Sequence, residues 1–204
     1  MKAGPRRELA GWGRTSPTAA DVWTPVTPEE AVEALDQAPA RGVVARGLGR
    51  SYGDAAQNAG GAVIDATAFS GVRAFDQQTG LVTAAAGTSL DDLMRWFVPR
   101  GWFVPVSPGT RHVTVGGAVA SDIHGKNHHR AGTWCAHVRQ LQLATPAEGP
   151  VTVAPDRDGD LFWATAGGMG LTGVVLDATV QLTPIATSRA LVDTDRTDTL
   201  VDCM

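Results

Sequence analysis

The stretch SDIHGKNHHRAG, residues 121–132, packs three of the chain's five histidines into six residues, and His112 and His137 lie close on either side. Lys126 sits among them and is the only lysine after Lys2 in a chain otherwise rich in arginine. Three kinds of chemistry suit such a cluster: a metal site, a catalytic base or the lining of a cofactor pocket. The metal option is weak. A zinc helix of the H-E-x-x-H kind needs a carboxylate after its first histidine and an unbroken helix. Here Gly125 follows His124, Asn127 disfavours helix, and Asp122 is the one carboxylate nearby. No metal is therefore expected. His112, His129 and His137 suit hydrogen-bonding roles. His124 and Lys126 differ, because they stand between glycine loops that look built for a ligand. An ammonium is also more compact and mobile than the guanidinium this chain otherwise uses.

The first loop is ARGLGRSYGD, residues 45–54, in which Gly47, Gly49 and Gly53 follow an apolar run. A dinucleotide-binding turn of the Rossmann kind would start a helix inside these glycines. The next residues, AAQNAGGAVID, have neither a cap nor helical periodicity. The better expectation is a nest, in which successive backbone N–H groups wrap a phosphate while Arg46 and Arg50 add charge. A glycine-rich turn with no ligand is the alternative. The second loop, SPGTRHVTVGGAVASDIHG, carries Gly109, Gly116 and Gly117. Its VGGAVA segment could form a helix whose small side chains admit a flat ligand or a diphosphate. From Leu93 to Pro146 there are six Lys or Arg residues and one acid, Asp122. That imbalance suits an anionic ligand or, equally, a solvated basic face.

The elements around these loops read in part from local pattern. TPEEAVEALDQA predicts a helix with Thr27 as N-cap, Pro28 in the first turn, Glu30 closing a capping box and Ala31, Ala34 and Leu35 on the buried face. TSLDDLMRWFVPRG predicts a second, capped at Thr88 or Ser89, with Leu90, Leu93, Met94 and Phe97 inward and Gly101 ending it. GVVARG (42–47) and GAVIDAT (61–67) read as short buried strands and WFVPVS as another. VRAFDQQTGLVTAAAG reads as a hairpin turning at 77–80, and 138–155 as a second. DLFWATAGG suits a short helix. GVVLDATVQL alternates, with Val174, Leu176, Ala178, Val180 and Leu182 opposite Asp177, Thr179 and Gln181. TDTLVDCM resembles a first helical turn. Hairpins mixed with strand–helix–strand passages predict an α+β fold, not a doubly wound sheet.

Composition sets outer bounds. With 204 residues and 43% hydrophobic content, the chain can bury a core as one large domain or two small ones. A net charge of −4 gives no case for nucleic acid. Cys135 and Cys203 form no disulfide framework. No apolar stretch comes after the basic residues at the start, so cytoplasmic synthesis without a signal peptide is expected.

Together, ARGLGRSYGDAAQNAGGAVID, SPGTRHVTVGGAVASDIHGKNHH and LFWATAGGMGLTGVV resemble the vanillyl-alcohol-oxidase/p-cresol-methylhydroxylase (PCMH) superfamily of FAD enzymes. Within it, the resemblance is to the polyprenylphosphoryl-ribose 2-oxidases of actinobacterial cell-wall arabinan synthesis. The resemblance implies two α+β subdomains clasping FAD over residues 1–186, with 187–204 starting a truncated substrate domain. It assigns cofactor contacts to Arg46, Gly47, Leu48, Gly49, Arg50, Ser51, Tyr52, Gly53 and Asp54 in the first loop. In the second it assigns Gly109, Thr114, Val115, Gly116, Gly117, Ser121, Asp122, Ile123 and His124, with Val174 at the flavin end. His124 and Lys126 would face flavin and substrate, with the general base beyond residue 204.

Many relatives link FAD covalently through a histidine of the first loop. Arg50 stands in that place, so non-covalent FAD is implied. The implied reaction oxidises the ribose C2 hydroxyl of a decaprenyl-phosphate sugar to a ketone, hydride passing to flavin. A partner short-chain reductase would complete the epimerisation, and peripheral membrane or envelope association is a further expectation. An aldonolactone or alditol oxidase of the same superfamily is one alternative. A non-catalytic FAD-binding fragment, suggested by the stop at Met204, is the other.

Overall fold

A computed structural model describes residues 4–204. Two sheets form its framework. The first has four strands: β1 (Arg6–Leu9), β2 (Thr18–Trp23), β3 (Val43–Arg46) and β4 (Ala62–Asp65), in the order β1-β2-β4-β3. β1 and β2 are antiparallel, whereas β2 and β3 both run parallel to β4. Parallel neighbours need a crossover. Helix α1 (Pro28–Asp36) lies between β2 and β3 in the chain. Thr27 caps α1, its Oγ1 accepting the Glu30 N–H at 3.2 Å. The Glu30 carboxylate reaches back to the N–H of Val26 at 2.7 Å, one residue before the cap itself.

The second sheet is antiparallel throughout. Its strands are β5 (Val72–Phe75), β6 (Leu81–Ala85), β8 (Val138–Thr145), β9 (Gly149–Val153) and β10 (Val174–Gln181), in the order β5-β6-β10-β8-β9. The late strand β10 runs between the two hairpins, so the sheet closes only once residue 181 is in place. Between the hairpins come α2 (Leu90–Phe97), β7 (Trp102–Phe103), α3 (Val115–Ala120) and α4 (His128–Ala131). α5 (Gly159–Thr165) precedes β10. β11 (Thr183–Pro184) pairs with β7, and α6 (Leu200–Cys203) comes after an exposed segment. Both α1 and α3 pack against β10. One continuous core spans both sheets, with Trp23, Ile64, Leu90, Leu141 and Trp134 among its members. The α2 face buries Leu90, Leu93 and Phe97, and full burial of such a side chain stabilises the fold by about 1.5–3 kcal/mol.

Three expectations are corrected. GVVARG does form a strand, but Val44 is its only buried member, because β3 is the sheet's edge. WFVPVS yields only the two-residue β7; Val104, Pro105 and Val106 are buried without joining a ladder, and Pro105 has no N–H to offer one. The third concerns location. Among the described residues no helix is long and apolar enough to cross a membrane, and the longest, α1, has nine residues. The expectation of membrane or envelope association is withdrawn on that ground.

Candidate functional site

The first loop leaves β3 at its C-terminal end. Gly49 and Gly53 have φ of +67° and +63°, a left-handed conformation natural to glycine. Among the described residues, no backbone N–H from Gly47 to Asp54 donates to a protein acceptor. Eight consecutive donors therefore remain for a ligand or solvent. Arg46 is committed elsewhere. Its Nη2 donates to the Ala10 carbonyl at 2.7 Å and its Nη1 to the Ala56 carbonyl at 2.9 Å. Burial lowers its pKa, with Asp65 pulling the other way. The side chain thus ties the N-terminal segment to the loop instead of presenting a free charge. The Trp12 N–H adds a bond to the Ser51 carbonyl at 2.9 Å, and its ring meets Tyr52 edge-on at 5.7 Å. Arg50 is exposed and folds back on the Leu48 carbonyl at 3.1 Å.

α3 behaves differently. Thr114 is buried and caps it, accepting the Gly117 N–H at 3.1 Å. The Val115 N–H bonds the Thr88 carbonyl at 2.8 Å and the Gly116 N–H that of Ala86, also at 2.8 Å. Its first donors are therefore consumed by protein. What α3 offers a ligand is bare Cα surface. A Cβ on Gly116 would fall 2.9 Å from that of Ala86, whereas one on Gly117 would meet only Thr114 Oγ1, at 3.0 Å. Gly116 lets the helix pack against Ala86, and Gly117 faces the space beside the capping Thr114 hydroxyl.

That space is a small groove of about 50 Å³. Arg46, Gly47, Thr114, Gly116 and Gly117, all expected at the cofactor, converge on it. Gly170, Gly173 and Val175 join them, with Ala45, Ala66, Ala86 and Ala120. The sequence signal for this third wall is the density of glycine in AGGMGLTG. Its local reason is visible at Gly173, whose φ of +150° brings it so close to β8 that a Cβ would fall 2.2 Å from the Ala144 carbonyl.

A larger, open cavity of about 840 Å³ is lined by Gly109, His124 and Lys126. Its apolar side includes Phe103, Val104, Pro105 and Ile185, and His137 reaches it as well. His137 is anchored through Nε2 to the Ala131 carbonyl at 2.8 Å. No carboxylate lines either space. An anion there meets donors and cations and avoids the repulsion of an acid.

Other expected residues lie outside both. Val115 and Val174 are core side chains, with only backbone left for a contact. Asp122, at φ +37°, accepts the Cys135 N–H at 2.8 Å. Burial pushes the Cys135 thiol up, and the charge of Asp122 adds to the shift. The Ser121 hydroxyl faces the Met169 sulfur at 3.7 Å, and Ile123 is tied through its backbone to Ala118 and Trp134. Among the described residues, no three of His, Cys, Asp and Glu are grouped to hold a metal ion.

Residues 19–154 match the FAD binding domain family. The chain belongs to that family. The free N–H groups of the first loop suit a diphosphate, and the acid-free, glycine-walled groove of about 50 Å³ suits close approach by one segment of a larger cofactor. The cofactor is FAD, held without a covalent bond. Over 199 residues the FAD-binding chain is 52% identical to a decaprenylphosphoryl-beta-D-ribose oxidase of Mycolicibacterium smegmatis, a match covering 95% of this chain and 43% of that relative. It is 30% identical to cytokinin dehydrogenase 7 of Oryza sativa subsp. japonica, over 87% of the chain and 36% of the relative. A D-lactate dehydrogenase of Anaerostipes hadrus is 27% identical over 137 residues, 65% of this chain and 29% of its own. The chain thus spans less than half the length of these relatives.

Proposed function

We propose that this chain is the FAD-binding portion of an oxidoreductase that oxidises the ribose C2 hydroxyl of decaprenylphosphoryl-β-D-ribose, in cell-wall arabinan synthesis. Residues 1–186 form the FAD-binding domain and 187–204 begin the substrate domain. The observation that carries the reading is the pairing of the free-donor loop, Gly47 to Asp54, with a cation-bearing, acid-free cavity. The 52% identity to the mycolicibacterial oxidase supports the choice of substrate.

When bound, FAD accepts the hydride and so supplies the redox chemistry. The chain's own residues orient and hold. The first loop binds diphosphate through backbone N–H groups, with the bare face of α3 against the cofactor. His124 and Lys126 present polar groups to the sugar, and the Lys126 ammonium favours the phosphate or the developing oxyanion. Phe103, Val104 and Ile185 offer an apolar wall to the first part of the lipid. A short-chain reductase acting on the 2-keto product completes the epimerisation.

The test is an anaerobic half-reaction of the complete protein with the sugar lipid. Bleaching of the flavin, with a product lighter by two hydrogens, one from C2 and one from its hydroxyl, is expected. Bleaching by an aldonolactone or alditol and not by the sugar lipid overturns the substrate. Acid precipitation should release FAD to the supernatant; flavin fluorescence retained in the pellet overturns non-covalent binding.

A further inference from the structure

We propose that Asn127 is a positioning residue that fixes the backbone turn carrying His124 and Lys126 against the segment 105–107, which lines the same large cavity. The proposal rests on the reading of that cavity as the flavin and substrate pocket.

The turn is held at its middle. Gly125, between His124 and Lys126, lies so close to the wall that a Cβ would fall 2.5 Å from the Ser107 carbonyl oxygen. Two residues on, Asn127 Nδ2 donates to the Pro105 carbonyl at 2.9 Å. Pro105 and Ser107 belong to the same cavity wall. An asparagine at the start of a helix ordinarily turns its side chain back to cap the helix's own N–H groups. Asn127 stands at the start of α4 and makes no such bond. Its carboxamide is spent on the Pro105 carbonyl instead.

The neck of the loop is closed independently. The Trp134 N–H bonds the Ile123 carbonyl, and the Cys135 N–H bonds Asp122 Oδ1, both at 2.8 Å. A bridge joins His124 to Thr133. Among the described residues, the His124 and Lys126 side chains make no hydrogen bond or ion pair; His124 only meets the ring of His128 edge-on at 5.5 Å. Two uncommitted polar groups therefore ride on a backbone pinned at neck and middle, which is the arrangement that preorganises a site.

The test uses the FAD-loaded chain with Asn127→Asp and Asn127→Gln. The carboxylate is nearly isosteric but cannot donate to Pro105 at neutral pH, whereas the glutamine keeps a donor on a longer arm. Lys126 is the only lysine besides Lys2, so brief acetylation read by mass spectrometry reports its reactivity relative to Lys2. Asn127→Asp should change the relative labelling rate of Lys126 by about fivefold, the factor expected for one lost neutral hydrogen bond. It should also alter the visible circular dichroism of bound flavin, with the flavin-to-protein ratio unchanged. Asn127→Gln should restore part of both signals. Labelling and flavin signal that both stay at wild-type values overturn the proposal, even where melting temperature falls, because Asn127 would then be a fold contact alone. If Asn127→Asp fails to fold, Gly125→Ala, which forces the turn off the Ser107 carbonyl, is judged by the same readouts. FAD loading should itself slow labelling of Lys126 in the unaltered chain. No effect there overturns the assignment of the cavity; an effect there with none from Asn127→Asp overturns the role of Asn127 only.

Discussion

Adjacent glycines in α3 face in different directions, and their replacement should fail in different ways. A side chain at Gly116 runs into Ala86. Gly116→Val should therefore destabilise the fold by about 1–3 kcal/mol, as overpacking does, seen as a lower melting temperature with or without FAD. A side chain at Gly117 enters the groove and presses on one protein atom, the capping Thr114 Oγ1, at 3.0 Å. Gly117→Val should lower the melting temperature of the FAD-free chain less than Gly116→Val does, and abolish flavin retention. Equal flavin-to-protein ratios for Gly117→Val and wild type would show that this face does not touch FAD. The glycines themselves are conspicuous in the sequence. Which of them packs and which faces the groove is not, because that depends on Ala86 and Thr88, some thirty residues earlier, accepting the first N–H groups of α3. The same holds for Arg46: its charge suggested a phosphate, but the Ala10 and Ala56 carbonyls that claim it are brought in by the fold.

Elements set by neighbours in sequence were legible; those set by distant partners were not. α1 and α2 carry their caps and apolar stripes within a dozen residues, and both hairpins carry their turns. β1 and β2 have no such local signature and exist as strands through pairing with each other and with β4. β10 was readable from its alternation, and its polar side holds a testable cost. Burial raises the pKa of Asp177 above its ordinary value of 3.8, and the charge of Arg73 only partly opposes the shift. A carboxyl with a raised folded pKa holds its proton more tightly folded than unfolded. Stability is therefore lost as pH rises from the ordinary value through the folded one, and the loss persists at neutral pH. Asp177→Asn should raise the melting temperature at pH 7, and the advantage should shrink as the pH approaches 3.8. An advantage of constant size across that range would show that the charge of Asp177 is not its source.

At the scale of the whole molecule, two sheets share one core, and three glycine-bearing segments meet at the groove between them. This division separates cofactor binding from turnover. The groove and the first loop are both built from the described residues. The larger cavity is open, and its titratable lining there is His124, Lys126 and His137. Hydride transfer needs the C2 hydrogen held close to the flavin, and such positioning is worth roughly 7–11 kcal/mol of barrier. On the proposed reading, Lys126 and His124 would hold one side of the sugar and leave the other to water. The 204-residue chain should therefore bind FAD stoichiometrically, and its flavin fluorescence should be quenched readily by iodide. Its flavin should be reduced by the sugar lipid far more slowly than that of a protein spanning the full length of the mycolicibacterial relative. In the full-length protein, Lys126→Ala should lower kcat/KM for the sugar lipid by about 10- to 100-fold, the loss expected when a charge-assisted hydrogen bond of about 1.5–3 kcal/mol disappears, with flavin content unchanged. Stopped-flow reduction under anaerobic conditions, at equal flavin concentration, measures each comparison. Equal reduction rates for the short chain and the full-length protein would show that the walls seen here suffice for catalysis. A Lys126→Ala protein that loses flavin but reduces normally when reloaded would move Lys126 from the substrate to the cofactor.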